Sequence, residues 1–158
     1  MFDFEGQSIL VANIPRYRNR KNEMSDWDSL IESTIDAIHV NPVRKGVTID
    51  LSSVQGDKRK RHIVAVGVDD FALSDMRLSN IVDRVSFLKL GASEEADLEI
   101  ARTLFVLMRG REPGANDLRW PLLDEKLADI RSGALSLIEI EPVHGAAIAF
   151  LAKEVSLK

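Results

Sequence analysis

The stretch KGVTIDLSSV (45–54) places Val47, Ile49 and Leu51 at alternate positions, with Thr48, Asp50 and Ser52 between them. A period of two is the signature of a sheet with one buried and one wet face. The polar run QGDKRKR (55–61) follows, and then the apolar run HIVAVGV (62–68). Two such strands around a Gly-Asp turn read as a hairpin, so an antiparallel sheet is the first thing any fold of this chain must accommodate.

The rest of the chain adds strands and helices around that hairpin. SILVAN (8–13) reads as a short strand, and IPRYRNRKNEM, broken by Pro15, as an exposed loop. In SDWDSLIESTIDAIHV, Ser25 is a natural N-cap with Asp28 three residues on. Trp27, Leu30, Ile31, Ile35 and Ile38 recur there at helical spacing, and Asn41-Pro42 ends the predicted helix. In GVDDFALSDMRLSNIVDRV (67–85) the strand is expected to end at Val68, with Asp69-Asp70 opening a turn. Phe71 and Leu73 then pack back, Arg77 tethers the bend by pairing with an acid, and Asn80 starts the next strand by bonding to nearby backbone. That strand, NIVDRVSFLKL, puts Ile81, Val85 and Phe87 on one face together with Asp83.

SEEADLEIARTLFVLMRG (93–110) reads as a helix capped by Ser93, with Glu94, Glu95 and Asp97 at the end where the dipole favours anions. Arg109 and Gly110 close it, although LFVL alone also fits a strand beginning at Leu98. After the loop REPGAND, WPLLDEKLADIRSG reads as a third helix, from Pro121 to a stop at Gly133. ALSLIEIEP and AAIAFLAKEVSL form a last hairpin around PVHG, with Glu139 and Glu141 on its wet face. Hairpins outnumber βαβ units. The expected fold is α+β, with five to six strands in a mainly antiparallel or mixed sheet and about three helices mostly on one face.

At 158 residues, with no linker and no repeat, the chain is expected to form one domain over 1–158. A chain this long buries about 70% of its unfolded surface and needs no staple. It has no cysteine, which removes disulfides, thiol nucleophiles and sulfur-bound zinc and fits a reducing compartment. The acidic start MFDFEGQSIL is unlike a secretory signal, and runs such as LFVLM and GAAIAFLA are far too short to span a membrane. A cytoplasmic protein is expected. The net charge of −4 is uneven, with +1 over residues 1–62 and −5 over residues 63–158. That balance lacks the basic footprint of a general nucleic-acid binder and suits a basic partner.

No reactive set emerges at a recognisable spacing. His39, His62 and His144 stand apart from any metal-binding motif, and neither a G-x-S-x-G elbow nor a glycine-rich phosphate loop is present. Asp69-Asp70 and Glu94-Glu95 are acid pairs that could work as acid and base or hold magnesium, but they read more simply as a strand end and a helix start, where acids are solvated or face the dipole. The expectation is a non-catalytic protein without cofactor or metal. The basic run Lys58, Arg59, Lys60 and Arg61, at the tip of the first hairpin, is the alternative: a grip on nucleic-acid phosphate, though without aromatics for base stacking.

One resemblance runs from about Lys45 to the end. It is carried by Gly67-Val68, Phe71, Asp75, Arg77 and Asn80-Ile81-Val82, and later by Glu139, Glu141-Pro142 and Gly145-Ala146. In these the chain resembles the immunity proteins of bacterial contact-dependent growth inhibition and related polymorphic-toxin systems. The resemblance implies a cytoplasmic protein that binds the toxin domain of a neighbouring cell's effector, of nuclease type, and blocks it. Carboxylates then stand in for phosphates. On charge and expected exposure, the contact residues are Asp69, Asp70, Asp75, Glu94, Glu95 and Asp97.

Overall fold

The alternation at 47–51 is realised as a strand of a closed barrel. A computed structural model of the protein describes residues 26–53 and 59–158. Among these, six strands occur: β1 Thr34–Asn41, β2 Gly46–Ser52, β3 Lys60–Ser74, β4 Ile81–Leu88, β5 Ser136–His144 and β6 Ala147–Leu157. Between β4 and β5 lie helix α1 Glu94–Arg109, a 3-10 turn Asp117–Arg119 and helix α2 Pro121–Ser132. The strand order is β1-β2-β3-β6-β5-β4, with every pairing antiparallel. The barrel closes narrowly. Thr34 pairs with Ile81, Ile35 N–H donates to the Asn80 carbonyl at 2.8 Å, and Val82 N–H donates to that of Ser33 at 2.9 Å. Beyond this junction β1 and β4 share no further ladder pair among the described residues.

The predicted strand at 8–13 and the loop after it lie outside the described residues, as do Ser25 and Lys58. The predicted helix over 25–40 is not formed. Residues 26–28 make one helical turn, and Thr34–Asn41 is β1. The cause is a bulge between Ile35 and Ala37. Ile35 pairs with Leu51 and Ile38 with Ile49, so two barrel-facing isoleucines stand three residues apart. On paper that spacing is indistinguishable from a helix. The expected turn at Asp69-Asp70 is likewise part of β3, which continues to Ser74 through a bulge between Val68 and Asp70. Bulges beside Val82 turn that residue, rather than Ile81, fully inward and move Asp83 off the apolar face.

Two apolar cores share one wall. Inside the barrel lie Leu30, Ile35, Val47, Ile49, Leu51, Ile63, Val82, Ile138, Ile140, Ile148 and Phe150, with the Trp27–Phe87 edge contact at 5.0 Å packed against them. On the outside of β5 and β6, Leu137 and Leu151 meet Ile100, Leu104 and Phe105 of α1 and Leu123 and Ile130 of α2. Each fully buried side chain of this size contributes about 1.5–3 kcal/mol. The helix ends are those expected. Ser93 Oγ accepts from Ala96 N–H at 3.1 Å, and Gly110 and Gly133 take left-handed C-cap conformations.

Glu139 sits on this outer wall, opposite Ser86 and Ala149. Burial pushes its carboxyl above the ordinary 4.5, and Glu141 adds to the effect. Its folded value exceeds its unfolded one, so ionised Glu139 destabilises the fold above the folded pKa, and the cost vanishes below about pH 4.5. Glu139→Gln is therefore expected to raise the melting temperature at neutral pH. Thermal melts across pH should show that gain fading to nothing as the carboxylate of the parent protein protonates.

Candidate partner-binding surface

β3 and β4 are joined by a loop that is exposed and yet firmly held. Residues 72–79 form the longest exposed run among the described residues. Leu73 and Met76 are each nearly half exposed, and Leu78 is fully exposed. Val143, at the neighbouring end of β5, adds a further exposed apolar side chain.

The loop is anchored by Asn80, which is 1% exposed. Its Oδ1 accepts from Arg77 N–H at 2.9 Å and from Ala146 N–H at 3.0 Å, and its Nδ2 donates to the Arg77 carbonyl at 2.7 Å. One buried amide thus ties the β3–β4 loop to the β5–β6 turn, while its own backbone carbonyl binds β1. Gly145 makes the approach possible. Its φ is +90°, and a Cβ there would lie 2.8 Å from the Ser79 carbonyl oxygen and closer still to Asn80 Oδ1. Asp75 opens the loop at φ 55°, in the left-handed region that Asp tolerates better than most residues. Arg77 does not tether the loop through an acid as expected. It makes no ion pair among the described residues, and its backbone carries the tether instead.

The predicted acidic contacts fall on three elements. Asp69 occupies the β3 bulge and pairs with Lys126 of α2, whose ammonium that hydrogen bond holds above its usual range. Asp70, beside it, is pushed up by burial and by Asp69. Asp97 accepts from Gly91 N–H at 2.7 Å and lies 3.8 Å from Arg131. Two of the six carboxylates are therefore engaged within the fold, Asp69 fastening α2 to β3 and Asp97 tying the first turn of α1 to Gly91 and α2. Asp75, Glu94 and Glu95 are exposed.

The described part of the basic run, Arg59 to Arg61, does not gather on one face. Lys60 and Arg61 belong to β3, so they point to opposite faces. Arg61 pairs with Leu51 on the barrel side, and its Nε is buried without a partner among the described residues. Arg59 is exposed before the strand starts.

The outer wall of β1–β3 carries a cluster that sequence reasoning missed. Asp50 accepts from His62 Nδ1 at 2.8 Å and from His39 Nε2 at 3.0 Å. The His62 bond is the largest influence, and it holds the Asp50 carboxyl below its ordinary value. Asp50 pairs directly with His62 in the ladder, while His39 comes from β1, so only the strand register brings the three together. The exposed apolar tip Met76–Leu78 was also missed. A lone hydrophobe in a polar loop carries no periodic signal.

Among the described residues, no group of three or more His, Asp or Glu is arranged to hold a metal ion, and no helix is long and apolar enough to cross a membrane. Compared with models of known protein families and with curated protein sequences, the chain matches none.

Proposed function

We propose that this chain is a cytoplasmic, non-catalytic immunity protein, which neutralises a toxin domain by seating the β3–β4 loop end of its barrel against it. The observation that carries this reading is the loop itself: Leu78 stands fully in water, and Met76 about half, on a loop pinned by a buried Asn80 whose amide makes three hydrogen bonds. Exposed apolar side chains on a rigid frame lose little conformational freedom on binding, which is how preorganised surfaces gain affinity. The residues behind the immunity-protein resemblance support the same surface, because Asp75, Arg77, Asn80, Gly145 and Ala146 meet at this end of the barrel. Asp75 supplies exposed negative charge at this end, and Glu94 and Glu95, beyond the opposite end of β4, add to the overall field that would speed encounter with a basic, nuclease-type surface.

Co-expression with the C-terminal toxin domain of the effector encoded beside this chain is the test. Cells should survive, and the two proteins should purify together. Leu78→Asp, a change on a fully exposed side chain, should leave the thermal melt unchanged and weaken the complex at least about tenfold in a binding titration. Cell death despite the wild-type chain, with no complex recovered, would overturn the reading.

A further inference from the structure

Beyond the loop, and independent of the reading above, the C-terminal end of α1 and the 3-10 turn border an open cavity of about 260 Å³ lined by Phe105, Arg109, Arg111, Asn116, Asp117, Arg119 and Trp120. Three guanidiniums converge here in a protein whose net charge is −4. Only Arg111 is in direct contact with a carboxylate. It reaches Asp117 Oδ2 at 2.6 Å and donates to the Glu112 carbonyl at 3.0 Å, with its guanidinium 5.2 Å from the Phe105 ring centre. The Asp117 carboxylate is occupied from a second side by Gly114 N–H at 2.8 Å. Arg109 lies over Trp120 at 5.3 Å. Arg109 feels the Asp117 carboxylate only at a distance, and neither Arg109 nor Arg119 forms a close ion pair among the described residues.

Like charges gathered around one hollow repel each other unless an anion sits between them. Stacking a guanidinium on an aromatic face fixes its plane and leaves its N–H edge free, which suits a planar or tetrahedral oxyanion. Trp120 is itself fixed by its edge contact with Phe105 at 6.2 Å, so the cavity has a rigid apolar wall beside a cationic rim. We infer that this cavity is a binding site for a small oxyanion, phosphate or carboxylate, held between Arg109 and Arg119 against Trp120.

Trp120 provides the signal. The chain has two tryptophans, and Trp27 packs in the barrel core, so a Trp27→Phe variant isolates Trp120 emission. That variant is titrated with sodium phosphate and with citrate at constant ionic strength, with chloride as the control. The expected result is a saturable change with phosphate or citrate and none with chloride, and the tighter of the two identifies the oxyanion class. Arg119→Gln, on an exposed residue outside the stacks, should weaken that binding at least about tenfold with the circular dichroism spectrum unchanged. A response that follows ionic strength alone, or equal binding by Arg119→Gln, overturns the proposal.

Discussion

Gly145→Ala lowers the unfolding free energy by about 2–4 kcal/mol, and the loss is concentrated at the β3–β4 loop. Two causes add. A side chain at φ +90° is strained wherever it occurs, at about 1–3 kcal/mol. The new methyl group also meets Asn80 Oδ1 and the Ser79 carbonyl, so the Asn80 amide must leave its site. Its departure leaves the Ala146 N–H, on a buried residue, without its acceptor, and a stranded buried donor costs about 1–3 kcal/mol. Gly110→Ala is the control. Its φ of +67° is also left-handed, but a Cβ there meets nothing within 4 Å. Urea denaturation of both variants separates strain from collision. Equal losses would mean that Asn80 yields without cost and that the loop is not rigidly pinned. If the pin is as drawn, Gly145→Ala also weakens partner binding in step with Leu78→Asp, although it touches no exposed apolar side chain.

That pin shows where sequence reasoning reached and where it stopped. Both helices were legible because their signals are local. Ser93 caps α1, Pro121 opens α2, and Gly110 and Gly133 end them, each acting within a turn of itself. The strands around Val47 and Ile63 were legible because unbroken alternation has one meaning. The errors of element type fall at bulges. At Ile35–Ala37 an extra residue changed a spacing of two into three and imitated a helix; at Val68–Asp70 it put two acids side by side inside a strand and imitated a turn. A bulge is set by the partner strand, so it leaves no mark in its own segment. The site was legible only as charge. That Asp69 would be spent on Lys126, and Asp97 on Gly91 and Arg131, depends on where α2 docks. The arginines of the cavity span 109–119 without a period, and stacking on Phe105 and Trp120 is what gives them a common direction.

The largest single loss is expected at Phe150, where Phe150→Ala should cost about 3–5 kcal/mol. Phe150 is fully buried and pairs across the ladder with Phe71 on β3 and Ile138 on β5, so it stands where three strands face the barrel interior. Strands closed into a ring cannot move inward independently, and the space left by a phenyl ring stays largely open. Its neighbour Leu151 is equally buried but points the other way, against the helices. Leu151→Ala removes a side chain from a layer held to the sheet by one apolar face, and α1 and α2 can settle toward the gap. Its cost should fall at the low end of about 2–5 kcal/mol. Hydrogen exchange distinguishes the two. Phe150→Ala should lower protection throughout β2, β3, β5 and β6 together, because the barrel opens as a unit. Leu151→Ala should lower it chiefly in α1 and α2 and leave the barrel amides protected. If the two variants exchange alike, the helices and the barrel form a single cooperative core, and the outer wall of β5 and β6 is no boundary between them.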